Sequence, residues 1–374
     1  MAYKFRGGIH PPTFKTGASD RPIKRVFIPR KVVLPVSQHV GSPAEPVVKA
    51  GDFVKAGDLI AQPSGYFSSA IHASLTGTVT KIAYSPTHNQ ARVLSITIES
   101  QESDAQDFKI NPNPAVNALS AADLLAIIKD AGIVGLGGAA FPTHVKLSPP
   151  KTKPVDAVIL NGAECEPYLA CDHRLMVERP KELLKALGVI TKILGAKEAY
   201  IAIEDNKLSA IYAIGQAIKA GIVPGMPRPK IVVLKTKYPQ GAEKQVVRAV
   251  TGRVVPAGAL PMDVGCVVQS VGTAFAIYEA VYSGKPLIER VITIAGPCVR
   301  EPVNIRVRIG TLVSDLTAVC GAFTKDARKV IVGGPMMGVA QYTMDIPVSK
   351  GVSGIIFVSK DEIDTSPEGV CIRC

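Results

Sequence analysis

The hydrophobic positions change rhythm along the chain. Up to about residue 102 they fall in short β-branched runs between glycine and proline breaks, as in Val32-Val33-Leu34, Thr78-Val79-Thr80-Lys81-Ile82 and Val93-Leu94-Ser95-Ile96-Thr97-Ile98. This pattern predicts an all-β unit over 1–102. A small repeat lies inside it, Val48-Lys49-Ala50-Gly51-Asp52 followed by Val54-Lys55-Ala56-Gly57-Asp58. Each Gly-Asp pair signals a turn, because glycine tolerates positive φ and aspartate bonds its own backbone. Residues 71–79 supply a matching strand and turn.

A polar linker at 103–118 separates this unit from a different pattern. Ser120-Ala121-Ala122-Asp123 has the form of a capping box, with Asp in place of the usual Glu or Gln, and opens an apolar helix that ends at Gly132. Continuous apolar runs at 157–160, 200–203 and 231–234 then alternate with helical segments near 180–194 and 207–220. Strands apolar on both faces and separated by helices predict a parallel sheet covered on both sides, an α/β domain over 119–285. From Glu289 the chain turns β-rich, with runs at 290–294 and 303–309, a helix-like 311–320 and a strand at 329–332. The succession predicts a small α+β module of the β-grasp kind over 286–340. The tail, 341–374, is less regular and ends on Cys371-Ile372-Arg373-Cys374.

The first unit resembles the barrel-sandwich hybrid of lipoyl and biotinyl carrier domains, which place a modifiable lysine on a hairpin tip. Residues 61–77 contain no lysine, so the resemblance is to the fold and the carrier function has no attachment point. The length, 374 residues, is enough for several cores without disulfide staples. A net charge of +12 predicts a basic surface, with an anionic cofactor, an acidic partner or an anionic membrane face as its functional uses. Aromatics are 5 % of the chain and Trp is absent, which argues against a nucleic-acid stacking platform. Seven cysteines with no preceding signal segment point to a reducing compartment. No stretch reaches the ~18 apolar residues of a membrane-spanning helix.

Two stretches carry the chemistry. In Gly135-Leu136-Gly137-Gly138-Ala139-Ala140-Phe141-Pro142-Thr143-His144-Val145-Lys146, the glycines let backbone N–H groups approach an anion and Lys146 adds a charge-assisted contact. Its spacing is that of neither a Walker loop nor a dinucleotide fingerprint, and a flexible turn with a surface lysine has the same pattern. Asn161-Gly162-Ala163-Glu164-Cys165-Glu166-Pro167-Tyr168 begins where the strand at 157–160 ends, the position from which open α/β sheets present polar groups to ligands. Glu164 and Glu166 there are open to several readings, as an acid/base pair, as hydrogen-bond acceptors or as a solvated loop. The six histidines are scattered; His144 lies within the glycine loop and is expected at the surface. Five isolated cysteines are expected to be buried structural thiols.

Together with the opening Phe5-Arg6-Gly7-Gly8-Ile9-His10-Pro11-Pro12, these motifs resemble RnfC, the C-subunit of the Rnf complex, which is a membrane ion-pumping ferredoxin:NAD oxidoreductase. The resemblance covers essentially the whole chain, and the α/β domain is also similar to the flavin-carrying, NADH-binding subunit of respiratory complex I. It implies an α/β multidomain fold: a barrel-sandwich hybrid, an FMN/NADH-binding α/β domain, a soluble-ligand-binding β-grasp module, and over 341–374 a connector with the start of a 4Fe-4S cluster domain. Carried over by position, Gly135, Gly137, Gly138 and Lys146 would hold the FMN phosphate and ribityl chain, and Asn161 and Glu164 would line the flavin. Gln269, Ser270 and Thr273 would be further flavin contacts. Phe141 would stack near a base of NADH, and Glu166 would bond that nucleotide. Glu243, in Tyr238-Pro239-Gln240-Gly241-Ala242-Glu243, also has a counterpart at the NADH site.

Departures from the complex I pattern are Leu136 for Arg, Ala140 for Gly, Ala163 for Asp, Cys165 for Gly and Ala242 for Glu; several of them favour the Rnf family. The reaction would lie on the cofactor, so no protein nucleophile or general base is expected. Cys371 and Cys374 would be the first two ligands of an incomplete 4Fe-4S motif, with full clusters in the longer protein and none in this fragment. The resemblance further implies other Rnf subunits as partners, ferredoxin as an indirect one, no nucleic acid, and a peripheral place on the cytoplasmic face of the bacterial cell membrane. Two alternatives stand beside it: a cobalamin reductase of bacterial microcompartments with the same flavin and cluster layout, and a non-catalytic docking scaffold with a degenerate flavin site.

Overall fold

The computed structural model describes residues 3–363 apart from 90, 101–105, 107 and 322. Two small sheets form the first module. Lys31–Pro35, Arg92–Ser100, Gly77–Pro86 and Phe53–Val54 make one, and Glu45–Pro46, Leu59–Gln62 and Ile71–His72 the other. Val32, Leu34, Ile60, Leu75, Ile96 and Ile98 are buried in its core. The sequence repeat folds as two like turns: the Asp52 carboxylate accepts the Lys49 N–H at 2.9 Å, and the Asp58 carboxylate accepts the Lys55 N–H at 2.7 Å.

The residues before Lys31 do not stay with this module. Tyr3 bridges to Leu234 and Ile9 to Tyr238, and Lys24–Phe27 runs parallel to Val303–Arg308. The leading segment therefore closes edges of the other two sheets.

The central module has the parallel sheet that its apolar runs predict, in the order Lys230–Leu234, Glu198–Glu204, Ala157–Gly162, Cys266–Ser270. Alternation along Ala157–Gly162 sorts the two faces. Ala157 and Ile159 pack with Val246 and Val247 of the helix Glu243–Thr251. Val158 and Leu160 join the core formed by the helices Ala121–Asp130, Pro180–Leu194 and Val271–Ser283. Ser120 and Asp123 close the capping box at the first of these. The strand first in sequence lies between the second and the fourth. The chain thus turns opposite ways from Ala157–Gly162, and a crevice opens at the carboxyl ends of that strand and Cys266–Ser270.

The third sheet runs Lys24–Phe27, Val303–Arg308, Glu289–Ala295, Gly354–Ser359, Ala327–Val332, Val339–Gln341. Gly354–Ser359 is an inner strand, pairing with Glu289–Ala295 on one side and Ala327–Val332 on the other. The sheet therefore takes in a strand from beyond residue 340, its Ile355, Ile356 and Phe357 fully buried.

Lys350 fastens the three modules together. Its buried Nζ donates to Ala70 O of the first module at 2.7 Å and to Gly132 O of the second at 2.6 Å. Burial lowers this lysine to about 7.

Candidate functional site

The glycine loop is a closed turn with an open crown. The Gly135 N–H donates to Phe141 O at 2.8 Å, the Ala140 N–H donates to Gly135 O at 3.1 Å, and Val134 bridges to Pro142. Between these ties Gly137, Gly138 and Ala139 are exposed. Gly138 has φ +113 and open space where a Cβ would stand. Ala140, where the complex I pattern has glycine, keeps the left-handed φ of 49° that glycine favours.

The crevice at the sheet's carboxyl edge is where this loop docks. Asn161 and Ser270 are register partners at the ends of the two strands that diverge. Thr273 Oγ1 accepts the Leu136 N–H at 2.8 Å, and Ser270 Oγ lies 2.8 Å from Thr273 Oγ1. A Cβ on Gly137 would stand 3.2 Å from that of Ser270. Arg290 of the third module donates to Leu136 O at 3.3 Å, and the Leu136 side chain is buried. An apolar residue thus fits where complex I has an arginine.

Other expected residues converge on the same edge. Asn161 Nδ2 donates to Gly241 O at 2.9 Å, drawing in the Tyr238–Ala242 turn. The Gly241 N–H donates to Cys165 Sγ at 3.2 Å. Burial pushes that thiol up to about 11, so it stays protonated. Gln269 is buried with its Nε2 unpartnered among the described residues, and both amide atoms of buried Gln240 are likewise unpartnered. A buried amide without a partner costs free energy, so these groups mark where a ligand's polar atoms fit. Gln240 was missed as a site residue, although it sits in a motif the sequence displays.

Four charged residues of the expected set have partners within the chain. Lys146, expected at a flavin phosphate, is ion-paired with Glu243, expected at NADH. Glu164, expected against the flavin, accepts the Asp172 and His173 N–H groups at 2.8 and 3.1 Å. It caps a helix whose own N-cap, Ala170, has no side chain to do so, and it shapes the loop from behind. Half-buried Asp172 lies beside it, and desolvation together with the Glu164 charge pushes the Asp172 carboxyl up. Glu166 accepts the Met336 and Met337 N–H groups, each at 2.9 Å, which brings the 333–338 loop of the third module over the site. Burial raises its carboxyl, and these two amides oppose that shift.

Phe141 is half-buried, its ring centroid 6.0 Å from that of Phe67. His144 is corrected from surface to interior: burial lowers its imidazole, and the Tyr66 carbonyl of the first module opposes that shift. Among the isolated cysteines, Cys171, Cys266, Cys298 and Cys320 are buried, whereas Cys165 is half-buried at the site. Cys371 and Cys374 lie outside the described residues. Among the described residues no cluster of three or more His, Cys, Asp or Glu is placed to hold a metal, and no helix is long and apolar enough to cross a membrane. A groove of about 520 Å³ bordered by Gly188, Lys192, Val223 and Met226 lies at the opposite, amino edge of the sheet.

Comparison with known proteins follows the same three modules. Residues 128–279 match the Nuo51 FMN-binding domain, residues 3–103 the RnfC barrel sandwich hybrid domain and residues 291–340 the SLBB domain. The chain is 47 % identical over 374 residues to the C-subunit of the proton-translocating ferredoxin:NAD(+) oxidoreductase complex of Clostridium ljungdahlii, covering 100 % of this chain and 80 % of that one. It is 44 % identical over 370 residues to the C-subunit of the Na(+)-translocating complex of Acetobacterium woodii, covering 99 % and 82 %. It is 41 % identical over 380 residues to the C-subunit of the ion-translocating oxidoreductase complex of Rhodobacter capsulatus, covering 100 % and 72 %. Among solved structures, a chain of an NAD+-reducing [NiFe]-hydrogenase in the H2-reduced state shares the fold. The TM-score is 0.53 at 21 % identity, over 67 % of this chain and 50 % of that one.

Proposed function

Because the chain belongs to the RnfC family, the C-subunits of ion-translocating ferredoxin:NAD(+) oxidoreductase complexes, we propose that it binds FMN and NADH and passes electrons between NAD(H) and iron–sulfur clusters. The observation that carries this reading is the glycine crown at the sheet's switch point, beside the buried, unpartnered amides of Gln269 and Gln240. Orphaned buried amides also count against a degenerate flavin site.

Bound FMN would supply the chemistry, taking a hydride from NADH and releasing electrons singly. The chain's own residues would do the holding. Backbone N–H groups of Gly137 and Gly138 would face the phosphate, with Lys146 adding charge once it leaves Glu243. Asn161, Gln240, Gln269, Ser270 and Thr273 would fix the polar edge of the ring system. Phe141 and Glu166 would receive the nucleotide. The thiol of Cys165 and the carboxylate of Glu164 would keep the 161–168 turn in shape. The 4Fe-4S clusters would follow Cys371 and Cys374, and other subunits of the complex would hold the chain peripherally at the cytoplasmic face of the bacterial membrane, with ferredoxin reached indirectly.

The test is a flavin titration followed by fluorescence quenching. The expected result is one FMN per chain, with a Gln269→Ala variant weakened about tenfold. An unquenched flavin at saturating protein would overturn the reading.

A further inference from the structure

Three aromatic rings stand together at one side of the glycine crown, two of them supplied by the first module. Tyr66 and Phe67 lie on the hairpin tip between the strands Leu59–Gln62 and Ile71–His72, 60 % and 49 % exposed. Their centroids are 5.1 Å apart, edge to face, and Phe67 continues onto Phe141 at 6.0 Å. In a chain with 5 % aromatics and no Trp, this is a concentrated patch of exposed ring surface.

The tip is rigid and docked. Ser68 Oγ accepts the Ser64 N–H at 3.0 Å and donates to Ser42 O at 3.0 Å, while the Ser69 N–H donates to His39 Nε2 at 3.1 Å. Burial and the nearby Lys350 charge lower His39 to about 4, so the ring is neutral and accepts that bond. The Val40 N–H donates to Ala140 O at 3.2 Å and joins the tip's module to the crown.

Rigid aromatic surface left in water next to an anion-binding loop has the makings of a base platform. Phe and Tyr lose little side-chain freedom on binding, and their faces take any planar π system. With the FMN phosphate on the crown, a dinucleotide that lays its nicotinamide against the flavin carries, beyond its own pyrophosphate, a purine that does not take part in hydride transfer. We propose that the hairpin tip forms the adenine subsite: the purine of the dinucleotide stacks on Tyr66 and Phe67, so the first module completes the nucleotide site. This rests on the function proposed above. It gives the tip, which has no lysine to carry a swinging group, a fixed task.

The experiment uses the FMN-loaded chain and isothermal titration calorimetry with two halves of the dinucleotide. ADP-ribose carries the adenine end; nicotinamide mononucleotide carries the other. For Tyr66→Ser and Phe67→Leu the ADP-ribose Kd is expected to rise roughly five- to tenfold. Tyr66→Phe restores it, and nicotinamide mononucleotide binds all variants as it binds the parent. Three results would overturn the proposal: ADP-ribose that does not bind the parent, ADP-ribose affinity unchanged in both variants, or both probes weakened equally. In the last case the tip only props the crown, or its rings serve a protein partner. Flavin retention and reduction by NADH in the parent test the underlying function separately, so either can fail without the other.

Discussion

Lys146 and Glu243, ninety-seven positions apart, form an ion pair between the end of the glycine-loop segment and the helix Glu243–Thr251. The sequence resemblance assigns them to different ligands, yet the fold brings them together. Each therefore governs how free the other is to meet a ligand.

This pairing sets a competition. If the lysine serves the FMN phosphate, the phosphate must take it from the carboxylate. Glu243→Gln is expected to tighten FMN binding a fewfold, and Lys146→Ala to weaken it roughly tenfold, a charge-assisted bond discounted for partial exposure. Riboflavin, which lacks the phosphate, should bind all three proteins alike. A riboflavin affinity that shifts in step with FMN would remove the phosphate assignment.

Glu166 makes the same kind of prediction for the nucleotide. Its two oxygens hold the Met336 and Met337 N–H groups, so a nucleotide that claims them must release the 333–338 loop. Saturating NAD+ is expected to speed amide hydrogen exchange at Met336 and Met337. Slower exchange there would show that Glu166 keeps the loop and does not bond the nucleotide. Gly334→Ala tests the latch without ligand. An added Cβ would stand 2.3 Å from Glu166 Oε2, so exchange at the same amides should rise.

Much of the architecture was legible in the sequence and some was not. The parallel sheet, the capping box at Ser120 and the crown glycines follow from local pattern, because apolar runs, caps and φ preferences act over a few residues. The partners of Glu164, Glu166 and Lys146 are set by contacts over long sequence separations, which no local rule reaches. His144 shows the same limit. Its loop context suggests exposure, but the hairpin of another module covers it. The inner strand Gly354–Ser359 was hidden because its pairing with Glu289–Ala295 crosses some sixty residues.

Lys350 predicts a pH dependence of stability. Burial holds it at about 7 in the folded chain, against an ordinary 10.5. Between those values the unfolded chain binds a proton that the folded chain does not, so this residue makes stability rise with pH across the window. His39 and His72, lowered to about 4 and about 3, stay neutral throughout. Lys15, lowered to about 8 by burial and by Lys207, titrates in the same window in both proteins and cancels in the comparison. Relative to Lys350→Met, the parent should gain on the order of 2 kcal/mol in urea unfolding from pH 7 to pH 9. Parallel curves would show that the lysine is charged in both states.

Whether this crevice holds a flavin where NADH can reduce it is decided by anaerobic addition of NADH to the FMN-loaded chain while its visible flavin absorbance is followed. Bleaching with saturable dependence on NADH is the expected result. Retained flavin that stays oxidised under excess NADH would contradict the assignment.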